Sequence, residues 1–128
     1  MNIAVSFPGG AAVEASVKGH SVRTDQAPPL GADSAPTPFD LFLASIATCM
    51  GFYAVHFCRE RGIATEGLGL SLETVRDAEK KRLSSIDVAL TLPAGFPEKY
   101  RAAIGRAVDQ CAVKKHVLEP PAFTLTVS

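Results

Sequence analysis

The sequence predicts one α+β domain in the order β-β-β-α-β-β-α-β, spanning residues 1–128. Three observations predict it: short β-rich runs punctuated by glycine and proline, one long helix almost free of charge, and two alternating segments ahead of a second helix. The 47% hydrophobic fraction is ample to fill a single core at this length.

Residues 2–7 and 12–18 are rich in β-formers and flank Pro8, Gly9 and Gly10. Gly19-His20 sets off a third run, SVRTD, which completes a meander. Residues 27–38, APPLGADSAPTP, exclude regular structure and read as a crossing loop. It ends at a helix start, with Thr37 as cap, Pro38 at the first helical position and Asp40 placed as in a capping box. The helix runs from Pro38 to about Arg61, and Gly62 closes it behind Arg59 and Arg61, cations suited to its negative end.

From Phe39 to Cys58 only Asp40 and His56 are charged or strongly polar. Such a helix, apolar on nearly every face, is expected to be buried. At ~1.5 Å per residue it is ~35 Å long, easier to cover in a dimer than in a lone chain of this size. Residues 67–77 and 82–92 follow as a long hairpin with one wet face. Pro93 and Pro97 end it, and a second helix is expected from about Glu98 to Lys115, with Ile104, Val108 and Cys111 broadly inward. Glu119-Pro120-Pro121 breaks that helix, leaving Phe123–Val127 as a last strand.

Thirteen basic and thirteen acidic residues cancel, so no single-sign field draws the chain to nucleic acid or an anionic membrane. No basic segment precedes an apolar start, and no run reaches ~18 uninterrupted apolar residues, so a cytoplasmic location is expected. The cysteines at 49, 58 and 111 form no structural disulfide framework. Neither they nor His20, His56 and His116 have metal-ligand spacing, and no nucleotide-binding glycine motif is present. No cofactor and no metal are expected.

Cys49 lies mid-helix, where a thiol is commonly an apolar filler. The dipole of its own helix fades within the first turn, and burial raises a thiol's pKa. Reactivity therefore calls for a cation from elsewhere, with Arg23, Arg76, Lys114 and Lys115 on offer. His56 shares a helical face with Cys49, but seven residues rise ~10.5 Å, beyond a hydrogen bond. Cys58 points about half a turn away and reads as packing near the helix end. Cys111 approaches the inward face of the second helix, where helix packing could bring it to Cys49.

ThrAspGln at 24–26, ProThrProPheAspLeuPheLeuAlaSerIleAlaThrCys at 36–49 and CysAlaValLysLys at 111–115, with the order of elements, resemble the OsmC/Ohr family of thiol-dependent hydroperoxide reductases. The resemblance covers essentially the whole chain. It implies an intertwined homodimer and an antioxidant stress-response role, with Cys49 as the peroxidatic thiol and Cys111 as the resolving one. It also implies an organic hydroperoxide as substrate and a dithiol reductant as partner. Ala11 and Phe39 stand where the best peroxidases of the group carry arginine and glutamate, which points to the OsmC-like branch, and Ala112 stands where the family often has proline. The alternatives are a non-catalytic dimer binding an apolar small molecule, or a scaffold whose cysteines only pack. A cation beside Cys49 would favour the enzyme.

Overall fold

The N-terminal strands are set by their turns. β1 (Ala4–Gly9), β2 (Ala12–Val17) and β3 (His20–Thr24) form an antiparallel sheet in chain order, with Val5 opposite Ala15 and Ala15 opposite Val22. Lys18 and Gly19, at φ 50° and 83°, make the two-residue turn between β2 and β3, a left-handed pair whose twist matches the strands. These strands belong to one of two compact units, 1–44 and 45–128, in a computed structural model that describes residues 1–128.

The crossing loop of the first unit closes on one buried carboxylate. Asp25 accepts from the backbone N–H of Gln26 (2.8 Å), Ala32 (3.3 Å) and Ser34 (3.1 Å) and from the Ser34 hydroxyl (2.6 Å). These donors hold its pKa down at about 2, the Ser34 hydroxyl most strongly, against the opposing effect of burial. The wrap is tight enough that a Cβ on Gly31 would collide with Gln26 O and the Asp25 carboxylate.

Helix α1 (Pro38–Glu60) opens with the expected box. The Thr37 hydroxyl accepts from Asp40 N at 3.1 Å, and the Asp40 carboxylate accepts from Thr37 N at 2.9 Å. It closes on Gly62, at φ 64°, where Ile63 N donates to Cys58 O (2.9 Å) and Gly62 N to Arg59 O (3.2 Å), the paired bonds of a Schellman motif. Within the single chain burial follows one face, through Ile46, Met50, Ala54, Phe57 and Cys58. Ala44, Thr48 and His56 are exposed on other faces, and Phe52 remains 57% exposed. By length and composition α1 could cross a membrane, a criterion that core helices also meet; Asp40, Ser45, Thr48 and His56 interrupt its apolar run.

In the second unit β4 (Gly69–Asp77) and β5 (Arg82–Thr91) pair with Leu70 opposite Leu90 and Leu72 opposite Val88. These four are half-buried, whereas Ser71, Glu73, Asp87 and Ala89 between them are exposed, giving the wet face that alternation predicts. The end of α1 is tied down by aromatic contacts. The Phe57 ring meets Tyr100 edge-on at 5.9 Å, and the Arg61 guanidinium lies 3.6 Å above Phe57.

Two expectations are corrected here. The second helix is not continuous from Glu98 to Lys115: a 3₁₀ turn (Glu98–Tyr100) leads into α2 (Arg101–Val108), and a separate α3 spans Ala112–Leu118. Cys111 makes the break, because its φ of −47° and ψ of 117° leave the helical region. Its sulfur instead caps α3 by accepting from Lys114 N at 3.4 Å. The last strand is also absent. Phe123, Leu125 and Val127 are 92%, 89% and 86% exposed, and no edge within the chain takes up their backbone bonds.

Candidate active site

A helix that starts afresh at Ala112 presents backbone N–H groups with no partner inside the helix. Lys114 N is taken by the Cys111 sulfur, while the N–H groups of Val113 and Ala112 face the sulfur of Cys49. Cys49 and Cys111 lie close enough for each thiol to shift the acidity of the other, so the two thiols predicted as site residues are brought together. Both are free, with Cys49 half-buried and Cys111 fully enclosed. The Cys111 S–H also reaches the Ile46 carbonyl of α1 at 4.0 Å.

The two sulfurs are unlike in acidity. Burial works against the Cys49 thiolate, but bonds from Val113 N–H, the Cys111 thiol and Ala112 N–H outweigh it and hold the Cys49 pKa below the ordinary thiol value. Burial pushes the Cys111 thiol up; the Lys114 N–H opposes this, and the bond and charge of Cys49 add to the rise. The more acidic thiol of the pair is thus that of half-buried Cys49, and the less acidic one that of enclosed Cys111. Two adjacent thiols of unequal acidity are what capture of an oxidised cysteine by its neighbour requires.

None of the expected cations contributes to this shift. Lys114 Nζ pairs with Asp109, and Lys115 Nζ bonds to Gln110 Oε1 at 2.9 Å, so both lysines reach back across the α2–α3 break. Arg76 is exposed on β4, and Arg23 is exposed on β3 of the first unit, opposite Glu14. His56 stacks on Phe52 with centroids 5.6 Å apart, and Cys58 is sealed, its pKa raised by burial more than Arg61 lowers it. No three His, Cys, Asp or Glu side chains converge as metal ligands would.

Sequence reasoning missed Ala112 and Val113 because their side chains do nothing; their amides act. Ile104, Val108 and Cys111 fit one uninterrupted helical period, which hides the break. The available signal was indirect, since proline at the place of Ala112 is the residue that suits the first position of a helix. An apolar cavity of about 570 Å³ lies nearby, lined among others by Ile46, Met50, Val88, Leu90, Val108 and Val117. Neither cysteine lines it.

Solved structures share this architecture. A Psychrobacter arcticus protein described as an osmotic stress induced and detoxification response protein is 23% identical, with TM-score 0.75 over 90% of this chain and 86% of that one. The organic hydroperoxide resistance protein OsmC of Legionella pneumophila, described as a predicted redox protein, is 19% identical, with TM-score 0.56 over 91% and 87%. OhrB of Bacillus subtilis, an organic hydroperoxide resistance protein, is 20% identical, with TM-score 0.51 over 91% and 90%. Among curated proteins none matches. At these identities the likeness speaks for the fold, but the family model for OsmC-like proteins matches residues 31–126, most of the chain, and the protein belongs to the OsmC family.

Proposed function

We propose that the protein is a thiol-dependent peroxidase for organic hydroperoxides, with Cys49 as the attacking thiolate and Cys111 as the resolving thiol. The observation that supports this reading is the juxtaposition of the two free cysteines: half-buried Cys49, its pKa held down, beside enclosed Cys111, its pKa pushed up. The Cys49 thiolate attacks the distal oxygen of ROOH; the O–O bond breaks, and the alkoxide takes a proton from water and leaves as ROH. Cys49 sulfenic acid and the Cys111 thiol then condense to a disulfide and one water. A dithiol returns two electrons and two protons and becomes a disulfide itself.

Backbone amides take the place of the charge pair that the most active relatives use. Ala11 lies in the β1–β2 turn and Phe39 in the first turn of α1, so neither position supplies a charge. The N–H groups of Val113 and Ala112 give the thiolate its stabilisation. A homodimer belongs to the same reading, because the exposed Phe52 and the unpaired tail each call for a neighbour. A second reading is favoured by the apolar cavity beside α1: a non-catalytic dimer that holds an apolar small molecule there.

Peptide mapping after one equivalent of cumene hydroperoxide separates the two. The peroxidase forms a Cys49–Cys111 disulfide within seconds and accumulates Cys49 sulfenic acid in Cys111→Ser. A Cys49 thiol still free after minutes supports the binder.

A further inference from the structure

The proposed cycle ends in a disulfide whose two sulfurs are not equivalent. Thiol–disulfide exchange requires a thiolate to approach one sulfur in line with the S–S bond, from the side opposite the sulfur that leaves. Cys49 is only half-buried, so it is the cysteine of the pair that keeps exposure to solvent. Cys111 is 0% exposed and enclosed between the Ile46 carbonyl and the first turn of α3, which closes it to a thiolate from solvent.

Leaving-group chemistry favours the other direction. Attack on Cys49 expels Cys111, the poorer leaving group because burial raises its pKa; attack on Cys111 would expel the more acidic Cys49. The two effects differ in kind. A less acidic leaving group slows exchange by a graded factor, whereas a residue closed to solvent offers no route. The Lys114 N–H, 3.4 Å from the Cys111 sulfur, is in place to receive the departing thiolate.

We propose that the reductant enters at Cys49 alone, so that the mixed disulfide forms on Cys49 and Cys111 is the sulfur released. This rests on the reading of the pair as a redox couple. In the step, the reductant thiolate forms a bond to the Cys49 sulfur, the Cys49–Cys111 bond breaks, and Cys111 leaves as a thiolate that takes a proton from water. A second thiolate then attacks the reductant's sulfur in that mixed disulfide, frees Cys49 and completes the reductant's own disulfide.

The test closes the wild-type disulfide with diamide, exposes the protein briefly to excess 2-mercaptoethanol, quenches in acid and maps the adducts after peptic digestion. The expected result is the adduct on Cys49 with Cys111 as free thiol, in about tenfold excess or more over the reverse arrangement. An adduct on Cys111, comparable amounts on both, or a pair that diamide cannot close overturns the proposal. Because diamide does the oxidising, a protein that ignores cumene hydroperoxide yet directs mercaptoethanol to Cys49 loses the peroxidase reading and keeps this one.

Discussion

Asp25 in the first unit and Cys49 in the second are built on the same principle, a side chain made more acidic by amides of an irregular stretch, yet they differ in how completely they are enclosed. Asp25 is buried and accepts four hydrogen bonds, three from backbone and one from the Ser34 hydroxyl. Cys49 stays half-exposed and receives bonds from two amides and one thiol. The carboxylate is enclosed and has nothing left to react with, so its charge organises a loop. Cys49 is less enclosed, and its neighbour is a second thiol. Completeness of the shell, more than the donors themselves, separates the two sites, and under the proposed function it leaves Cys49 free to react.

The largest effect that tests this contrast comes from removing the reactive atom. Cys49→Ser is expected to abolish peroxide-dependent disulfide formation completely while leaving the melting temperature near that of the wild type. A variant that still consumes cumene hydroperoxide at the wild-type rate would place the chemistry elsewhere. Cys58 offers no substitute, being sealed with its pKa raised by burial.

Asp25→Ala should act in the opposite sense, with a strong effect on stability and little on the thiol. It leaves the N–H groups of Gln26, Ala32 and Ser34 without their acceptor in a loop that closes too tightly for a Cβ at Gly31. Thermal unfolding should begin several degrees lower, with the rate of Cys49 alkylation on the folded protein unchanged. An unaltered melting curve would mean that water satisfies those amides as well as the carboxylate does.

The same residue gives the protein a dependence on acid. Its folded pKa of about 2 lies below the ordinary carboxylate value of about 3.9, so its contribution is complete above pH ~4 and is lost as pH falls through about 2. Acid unfolding followed by circular dichroism should show wild type losing stability across that interval. Asp25→Asn should start from a lower plateau and show a shallower slope there.

These sites differ in how far they could be read from sequence. Thr37, Pro38, Asp40 and Gly62 fixed both ends of α1, because capping chemistry is local and uses side chains or a positive φ. The β4–β5 hairpin was equally legible, since alternation records which face is wet. The meeting of Cys49 and Cys111, 62 residues apart, was open to helix packing on the sequence alone and implied as a pair by the family resemblance, as no local rule spans that distance. The ThrAspGln run belonged to that resemblance too, yet the role of Asp25 emerges only once Ser34 and Ala32 fold back onto it. The tail at 123–127 has strand alternation but finds no edge within its own chain. Pattern shows that a segment can pair; topology decides with what.

The smallest expected effect is the most specific to the amide account. Ala112 is the first residue of α3, where proline is tolerated because φ is compatible and the N–H has no helical partner. Here that N–H does have a use, as one of the two amides that lower the Cys49 pKa, the weaker of them. Ala112→Pro should therefore preserve the helix and remove one donor from the thiolate. The pH profile of Cys49 alkylation by iodoacetamide should move slightly upward, with the circular dichroism spectrum unchanged. This chain has Ala11 and Phe39 at the places where the family resemblance leads one to expect arginine and glutamate, and it keeps the Ala112 amide. A profile that does not move would assign the depressed pKa to Val113 N–H and the Cys111 thiol alone, and would make the alanine at this position incidental.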